Sequence, residues 1–310
     1  MTDKKVNISQ LSIEASPPFH FAHTAYSHGW VVLLPNAWLE DVQTVRRVER
    51  LAGGKVVSLK ISGNGSITQP QIAISVAHSG ALLPAEQTEI KAKVAHMFRA
   101  DENFSEFYAL CQERGEPWSR LNDGLGRLLR SPGVFEDIVK SICTTNIAWG
   151  GTKRMVSEIV NAFGEPFPGD ETQRAFPTAE SIAAVSAETF ADAVRFGYRA
   201  PYVHLLAERV ASGELDLEAF RDPEIPTPEL KKRLLNIKGV GNYAAANLLM
   251  LLGHYDDLAI DTVFRSFVSK KYFNGNYPSD QKARAIYDDW GKWKFLAFWF
   301  DLWQGLDESL

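Results

Sequence analysis

One acid stands where it could do chemistry. Asp261 closes the apolar run Leu258-Ala259-Ile260 and precedes Thr262-Val263, so it reads as the N-cap of a helix over residues 262–271. Twenty residues earlier stands Gly241, which with Gly239 flanks a single apolar Val240. The stretch 234–247, Leu-Leu-Asn-Ile-Lys-Gly-Val-Gly-Asn-Tyr-Ala-Ala-Ala-Asn, reads as a helix end, a tight glycine turn where a Cβ would clash, and a second helix. A helix start of this kind leaves N–H groups unpaired and aimed outward together, a site for an anion and for phosphate above all. The carboxylate can stabilise a developing positive charge and can orient or deprotonate a water. Its place at a helix N-terminus is expected to keep it ionised. Taken alone, Asp261 reads better as a plain capping residue, and it is the hairpin twenty residues before it that puts catalysis ahead.

The elements that must hold these groups divide the chain into an N-terminal antiparallel β-sheet domain over 1–100 and a helical region over 101–310. The fold class is α+β, mainly α. Residues 1–15 read as disordered or as an edge strand. Strands are expected at Trp30–Leu34, Val42–Leu51, Lys55–Ile61 and Gln71–Val76, with a hairpin turn at Gly63-Asn64-Gly65. His20, His23 and His28 lie close together here, and read as polar residues of an edge or loop rather than metal ligands. After Pro84 the pattern is helical: 86–98, a helix from Ser105 to Arg114, one opened by Ser131-Pro132 and ending near Thr144-Thr145-Asn146, and one over 153–163. Residues 164–177 read as a Gly/Pro-rich loop. Phe176-Pro177-Thr178 opens a further helix, 197–201 is a turn into a helix over 202–212, and 280–303 is a closing aromatic-rich helix.

Composition is that of a globular protein, with 45% hydrophobic and 23% charged residues. No apolar run approaches the roughly 20 residues of a membrane helix, and the N-terminus leads into no apolar secretory segment. The two cysteines, Cys111 and Cys143, are too few for a cysteine zinc site or an iron–sulfur cluster and fit a reducing compartment. The net charge is −5, but residues 231–300 carry eleven Lys or Arg against six Asp. A basic segment centred on the glycine turn is an electrostatic footprint for nucleic acid or a chance cluster on a solvated face.

The turn and its aspartate resemble the signature of the helix-hairpin-helix (HhH-GPD) DNA glycosylases, an L-x-x-h-x-G-h-G-x-x-x-A hairpin (h apolar) followed about twenty residues later by a catalytic aspartate. Arg127 to Arg130, the run Ile142 to Asn146, Phe176-Pro177-Thr178 and Gly197-Tyr198-Arg199 are similar to stretches of the 8-oxoguanine branch, so the resemblance covers roughly residues 100–300. It implies a DNA cleft between helical subdomains and Asp261 as the catalytic group. Lys238, Gly239, Val240, Gly241 and Asn242 would then bind DNA at the hairpin, with Arg265 a further contact on the helix that Asp261 opens. Asn146 matches a residue that enters the gap left by a flipped nucleotide, or simply C-caps its helix. Bifunctional members carry a nucleophilic lysine two residues after the second hairpin glycine. That position is Tyr243 here, which implies base removal by water alone. The matching residue of alkylpurine glycosylases is an aromatic that stacks on the flipped base, and an electron-poor alkylated purine favours such a face. The glutamine by which 8-oxoguanine glycosylases read the base edge aligns with Phe298. Trp149, Trp293, Phe298 and Trp299 could wall the pocket, or pack as ordinary core. Tyr198 and Arg199 read as core packing and a buried ion pair. The resemblance also implies a monovalent cation, Na+ or K+, on the main-chain carbonyls of Leu235, Ile237 and Val240. No other cofactor is expected.

These readings converge on a monomeric, monofunctional glycosylase for alkylated purines in duplex DNA, cytoplasmic in a bacterium or nuclear in a eukaryote. An oxidised or deaminated base as substrate stays open, and so does a non-catalytic DNA-binding or damage-sensing module.

Overall fold

The computed structural model describes residues 6–304. In chain order its strands are β1 (Val6–Glu14), β2 (Asn36–Leu39), β3 (Thr44–Arg50), β4 (Val56–Gly65), β5 (Pro70–Ser79), β6 (Pro166–Phe167) and β7 (Asp170–Arg174). Its α-helices are α1 (Phe21–Tyr26), α2 (Pro84–Phe98), α3 (Ser105–Arg114), α4 (Val134–Thr144), α5 (Trp149–Phe163), α6 (Ala179–Ala183), α7 (Ala187–Ala193) and α8 (Ala200–Ala211), then α9 (Thr227–Leu235), α10 (Asn242–Leu252), α11 (Thr262–Tyr272), α12 (Asp280–Ala285) and α13 (Lys294–Gln304). The protein is thus an α+β fold, mainly α, opening with an antiparallel sheet. It forms two compact units: residues up to 103 together with 121–218, and residues 104–120 together with those from 219 on. No described helix is long and apolar enough to cross a membrane.

In the first unit a five-stranded antiparallel sheet runs in the order β1-β5-β4-β3-β2. Val45, Ile61, Ile72, Ile74 and Val76 alternate onto its closed face, each fully buried. The expected hairpin turn at 63–65 lies further on. Asn64 pairs with Gln71 and Gly65 with Pro70, so residues 66–69 make the turn, closed by the Gln69 N–H donating to Ser66 Oγ at 3.0 Å. Gly63 is glycine for another reason: a Cβ there would lie 2.6 Å from Cβ of Phe21, whose ring stacks on Phe98 at 4.8 Å. Trp30–Leu34 is not a strand. Residues 29–32 form a 3-10 turn, because the Trp30 indole N–H is drawn to the buried Asp137 carboxylate at 2.7 Å and Asn36 donates to the Trp30 carbonyl. Residues 164–177 are more ordered than a plain loop and contain the short β6–β7 hairpin.

Helix α4 is buried along most of its length, charged residues included. Its N-cap is Gly133 rather than Ser131, and the Glu218 carboxylate accepts the Val134 N–H at 2.9 Å, taking the place of a serine cap. Arg47 of β3 donates to Glu136 (2.6 Å), Glu49 (2.7 Å) and Asn36 (3.0 Å), while Lys140 pairs with Glu136 at 2.6 Å. This network ties the sheet to α4, and its two cations hold the Glu136 carboxyl well below the ordinary glutamate range against the cost of burial.

The second unit holds α3 and α9–α13. The expected single helix over 280–303 is broken: Gly291 has φ +55 and ψ −124, which divides α12 and a 3-10 segment from α13. Phe104, Phe107, Tyr255, Trp290 and Trp293 form one aromatic cluster. The buried Asp301 accepts from Lys271 Nζ (2.6 Å), Tyr272 Oη (2.5 Å) and Tyr287 Oη (2.8 Å), which locks the end of α11 to α13.

Candidate active site

The hairpin is built from the second unit's α9 and α10. Apolar Ile237 and Val240 turn inward and are buried, while Lys238 is exposed between them. The Val240 N–H donates to the Ile237 carbonyl at 3.0 Å, closing the bend. Gly239 has φ +93, a left-handed conformation that a side chain would strain. Gly241 is different: its backbone is extended, and a Cβ there would meet nothing within 4 Å. Its missing side chain therefore serves no contact within the chain. It leaves open space over the start of α10, where no side chain caps the first turn. An anion can reach those N–H groups unhindered.

Asp261 is the N-cap of α11, its Oδ1 accepting the Phe264 N–H at 2.7 Å. It is partly exposed. Its pKa is shifted upward. Burial raises it above the ordinary aspartate value, outweighing the N–H donors of the helix start and the charge of Arg265. Tyr243, at the second position of α10, is 38% exposed. Its phenol pKa is raised first by burial and then by the Asp261 carboxylate, which lies near enough to oppose its ionisation. The Asp261 carboxylate is thus within electrostatic range of the phenol on the first turn of α10.

Two other candidates from this unit lie within packed aromatic clusters. Trp293 is buried, stacked on Tyr255 at 5.5 Å, and its indole N–H has no hydrogen-bond partner among the described residues. Phe298 is buried against Phe264 at 4.9 Å, Tyr287 at 5.9 Å and Phe267 at 6.2 Å. Arg265 is exposed and is engaged by Asp280, with Nη2 at 3.1 Å from Oδ2.

Asn146 and Trp149 belong to the first unit. Asn146 follows the end of α4 with φ +47, and its Nδ2 donates to the Tyr198 hydroxyl at 3.3 Å. Tyr198 is not core: it is 52% exposed. Arg199 is buried and forms no ion pair among the described residues. Its guanidinium donates to the Thr145 carbonyl and lies 4.3 Å from the centre of the Tyr198 ring. Trp149 opens α5, is 40% exposed, and lies so close over Gly29 that a side chain there would collide with the indole.

The carbonyls of Leu235 and Val240 accept no main-chain hydrogen bond among the described residues, and that of Ile237 accepts one, so each keeps at least one open lone pair. No group of His, Cys, Asp and Glu among the described residues converges as a metal site. Both cysteine thiols are buried and pushed up to about 12 by that burial. One residue of the site drew no notice in the sequence. Asn247 is one turn beyond Tyr243, and its Nδ2 donates to the Tyr243 carbonyl at 2.9 Å. Its signal was a lone amide within the apolar run from Ala244 to Leu252.

Known proteins resemble this chain along most of its length. Residues 139–292 match the model of the HhH-GPD superfamily base excision DNA repair proteins. The Bacillus subtilis protein YfjP, provisionally named a DNA-3-methyladenine glycosylase, is 22% identical over 301 residues, which are 95% of this chain and 98% of that protein. Among solved structures, the 3-methyladenine DNA glycosylase of Archaeoglobus fulgidus superposes with a TM-score of 0.75 at 22% identity, covering 97% of this chain and 99% of that one. The 8-oxoguanine glycosylase/lyase of Clostridium acetobutylicum, solved with duplex DNA containing cytosine opposite 8-oxoguanine, gives 0.70 at 17% identity over the whole of both chains. With the glycine hairpin, the aspartate-capped α11 and the matching fold in hand, the chain belongs to the HhH-GPD superfamily of base excision DNA repair proteins.

Proposed function

We propose that this protein is a monofunctional DNA glycosylase that hydrolyses the N-glycosidic bond of alkylated purines in duplex DNA. The observation that carries the reading is Tyr243 itself: on the first turn of α10, two residues beyond the second hairpin glycine, the chain has a phenol where a Schiff-base mechanism needs an amine. In the proposed reaction the C1′–N bond breaks and its electron pair leaves with the base. A purine alkylated on a ring nitrogen carries positive charge, so it departs neutral and needs no proton from the protein. The sugar becomes electron-poor, and the Asp261 carboxylate stabilises it. A water bonds to C1′ and gives its proton to Asp261, whose raised pKa suits it to receive one. No bond forms between protein and sugar, so the product is an intact abasic strand.

Around this step the uncapped start of α10 and exposed Lys238 take a phosphate, and Tyr243 stacks on the extruded base, its face favouring a cation. Leu235, Ile237 and Val240 would hold a monovalent cation that adds positive charge beside the phosphate.

The test is release of 3-methyladenine from alkylated duplex by wild type and Asp261→Asn. Loss in the variant is expected, and equal release by both removes Asp261 from the mechanism. Borohydride trapping of the protein on DNA should fail, since a trapped adduct requires an amine nucleophile. A panel of single-lesion duplexes separates alkylated from oxidised or deaminated bases. Salt-sensitive duplex binding without release of any base would identify a non-catalytic module.

A further inference from the structure

We propose that Arg284 is a positioning residue that fixes the stretch of chain leading into Asp261. The proposal rests on the reading of Asp261 as the catalytic group. Between α10 and α11 the chain runs from Gly253 to Ile260 without helix or strand. The Gly253 and His254 N–H groups bond back to α10, and the Tyr255 carbonyl accepts the Phe295 N–H at 2.8 Å. Beyond that point, residues 256–260 make no hydrogen bond between main-chain groups among the described residues. Burial of Leu258 and Ala259 sets how deep the stretch lies. Its polar attachments come from side chains of the neighbouring helices.

Arg284, near the end of α12, supplies two of these attachments. Its Nη1 donates to Asp257 Oδ1 and its Nη2 to the Leu258 carbonyl, each at 3.3 Å. The planar fork thus grips two successive residues, which a single ammonium does not match. The other oxygen of Asp257 accepts from Lys231 Nζ of α9 at 2.5 Å. One turn before Arg284 on α12, Asp280 holds Arg265. Helix α12 therefore reaches the chain on both sides of Asp261, four residues before it through Arg284 and four residues after it through Asp280. Stability alone gives little reason for the arginine, because its side chain is 41% exposed and such ion pairs stabilise little. Its gain is precision: a reacting group misplaced by about 1 Å can lose about a hundredfold in rate.

The test is Arg284→Gln in the full-length protein. The Phe264 N–H donates to the Asp261 carboxylate at 2.7 Å, so its exchange with solvent deuterium, followed by amide NMR, reads how firmly that carboxylate is held. The variant should exchange this proton on the order of tenfold faster with its melting temperature unchanged. An unchanged exchange rate overturns the proposal, whether or not the protein releases any base. In single-turnover release of methylated purines at saturating protein, the variant should be slower by on the order of tenfold with its duplex affinity unchanged. If affinity falls instead, with the slope of log affinity against log salt reduced by about one and the saturated rate unchanged, Arg284 is a phosphate contact and the proposal fails. Arg284→Lys keeps the charge and loses the fork, so it should restore at most part of both losses. Full restoration by lysine would show that charge alone suffices and would overturn the two-point hold.

Discussion

The guanidinium of Arg265 lies against both carboxylate oxygens of Asp280, Nε at 3.2 Å from Oδ1 and Nη2 at 3.1 Å from Oδ2. Tyr277 donates its hydroxyl to the same carboxylate at 2.6 Å. One turn beyond Asp261, the cation expected to meet DNA is therefore already held by an acid of its own chain. Both partners are about half exposed, and such pairs contribute only about 0–1 kcal/mol. A DNA phosphate can compete for the arginine.

Removing the competitor should strengthen binding. Asp280→Asn is expected to raise duplex affinity by up to about fivefold at low salt. Arg265→Gln should weaken binding and reduce the slope of log affinity against log salt by about one. Fluorescence anisotropy with labelled duplex over a salt series reads both. An Asp280→Asn protein that binds no better would mean Arg265 makes no phosphate contact.

The acid limb of activity should report Asp261. Its carboxyl pKa is raised by burial, so the catalytically competent carboxylate is lost as pH falls through a value above that of an ordinary aspartate. A single-turnover pH profile should therefore turn down earlier on acidification than a free aspartate would require. A limb at or below the ordinary aspartate value would show that burial does not dominate in solution.

Acid should also destabilise the first unit through His28. The ring is buried, donates to the Leu129 carbonyl, and has its pKa lowered from 6.5 to about 4 by burial. The folded state thus favours neutral His28. Its contribution is complete above 6.5 and is lost progressively as pH falls from there towards about 4. The span corresponds to roughly 3 kcal/mol. Chemical denaturation at pH 7.5 and 4.5 should show a smaller loss for His28→Gln than for wild type.

The two hairpin glycines should separate stability from binding. Gly239→Ala forces a side chain into a left-handed backbone and should cost about 1–2 kcal/mol. Gly241→Ala meets no neighbour, so stability should change by less than about 0.5 kcal/mol. Its methyl nevertheless enters the space over the start of α10, and DNA affinity should fall. Melting curves and duplex binding on both variants check this.

What the sequence made legible was local. Gly239 with its positive φ and Asp261 as N-cap are written within a few residues of where they act. What escaped it was tertiary. Nothing near Ser131 tells that Glu218, 84 residues beyond Val134, caps α4 in place of a serine. Trp30 lies in an apolar run that reads as strand, and its bonds with the buried Asp137 and Asn36 account for its 3-10 turn. Gly63 looks like a turn glycine until the ring of Phe21 is seen over it. The upward shift of the Asp261 pKa escaped it for the same reason: the helix start is visible in sequence, and the burial that outweighs it is not.

The second unit draws α3 from residues 104–120 and the rest from the chain beyond 218. Phe107 touches Trp290 and Trp293, and Arg114 lies 4.2 Å from the centre of the Trp290 ring. A ribosome delivers α3 long before it delivers those tryptophans. During synthesis the rings of Phe104 and Phe107 are therefore made well before Tyr255, Trp290 and Trp293, the rings they pack on.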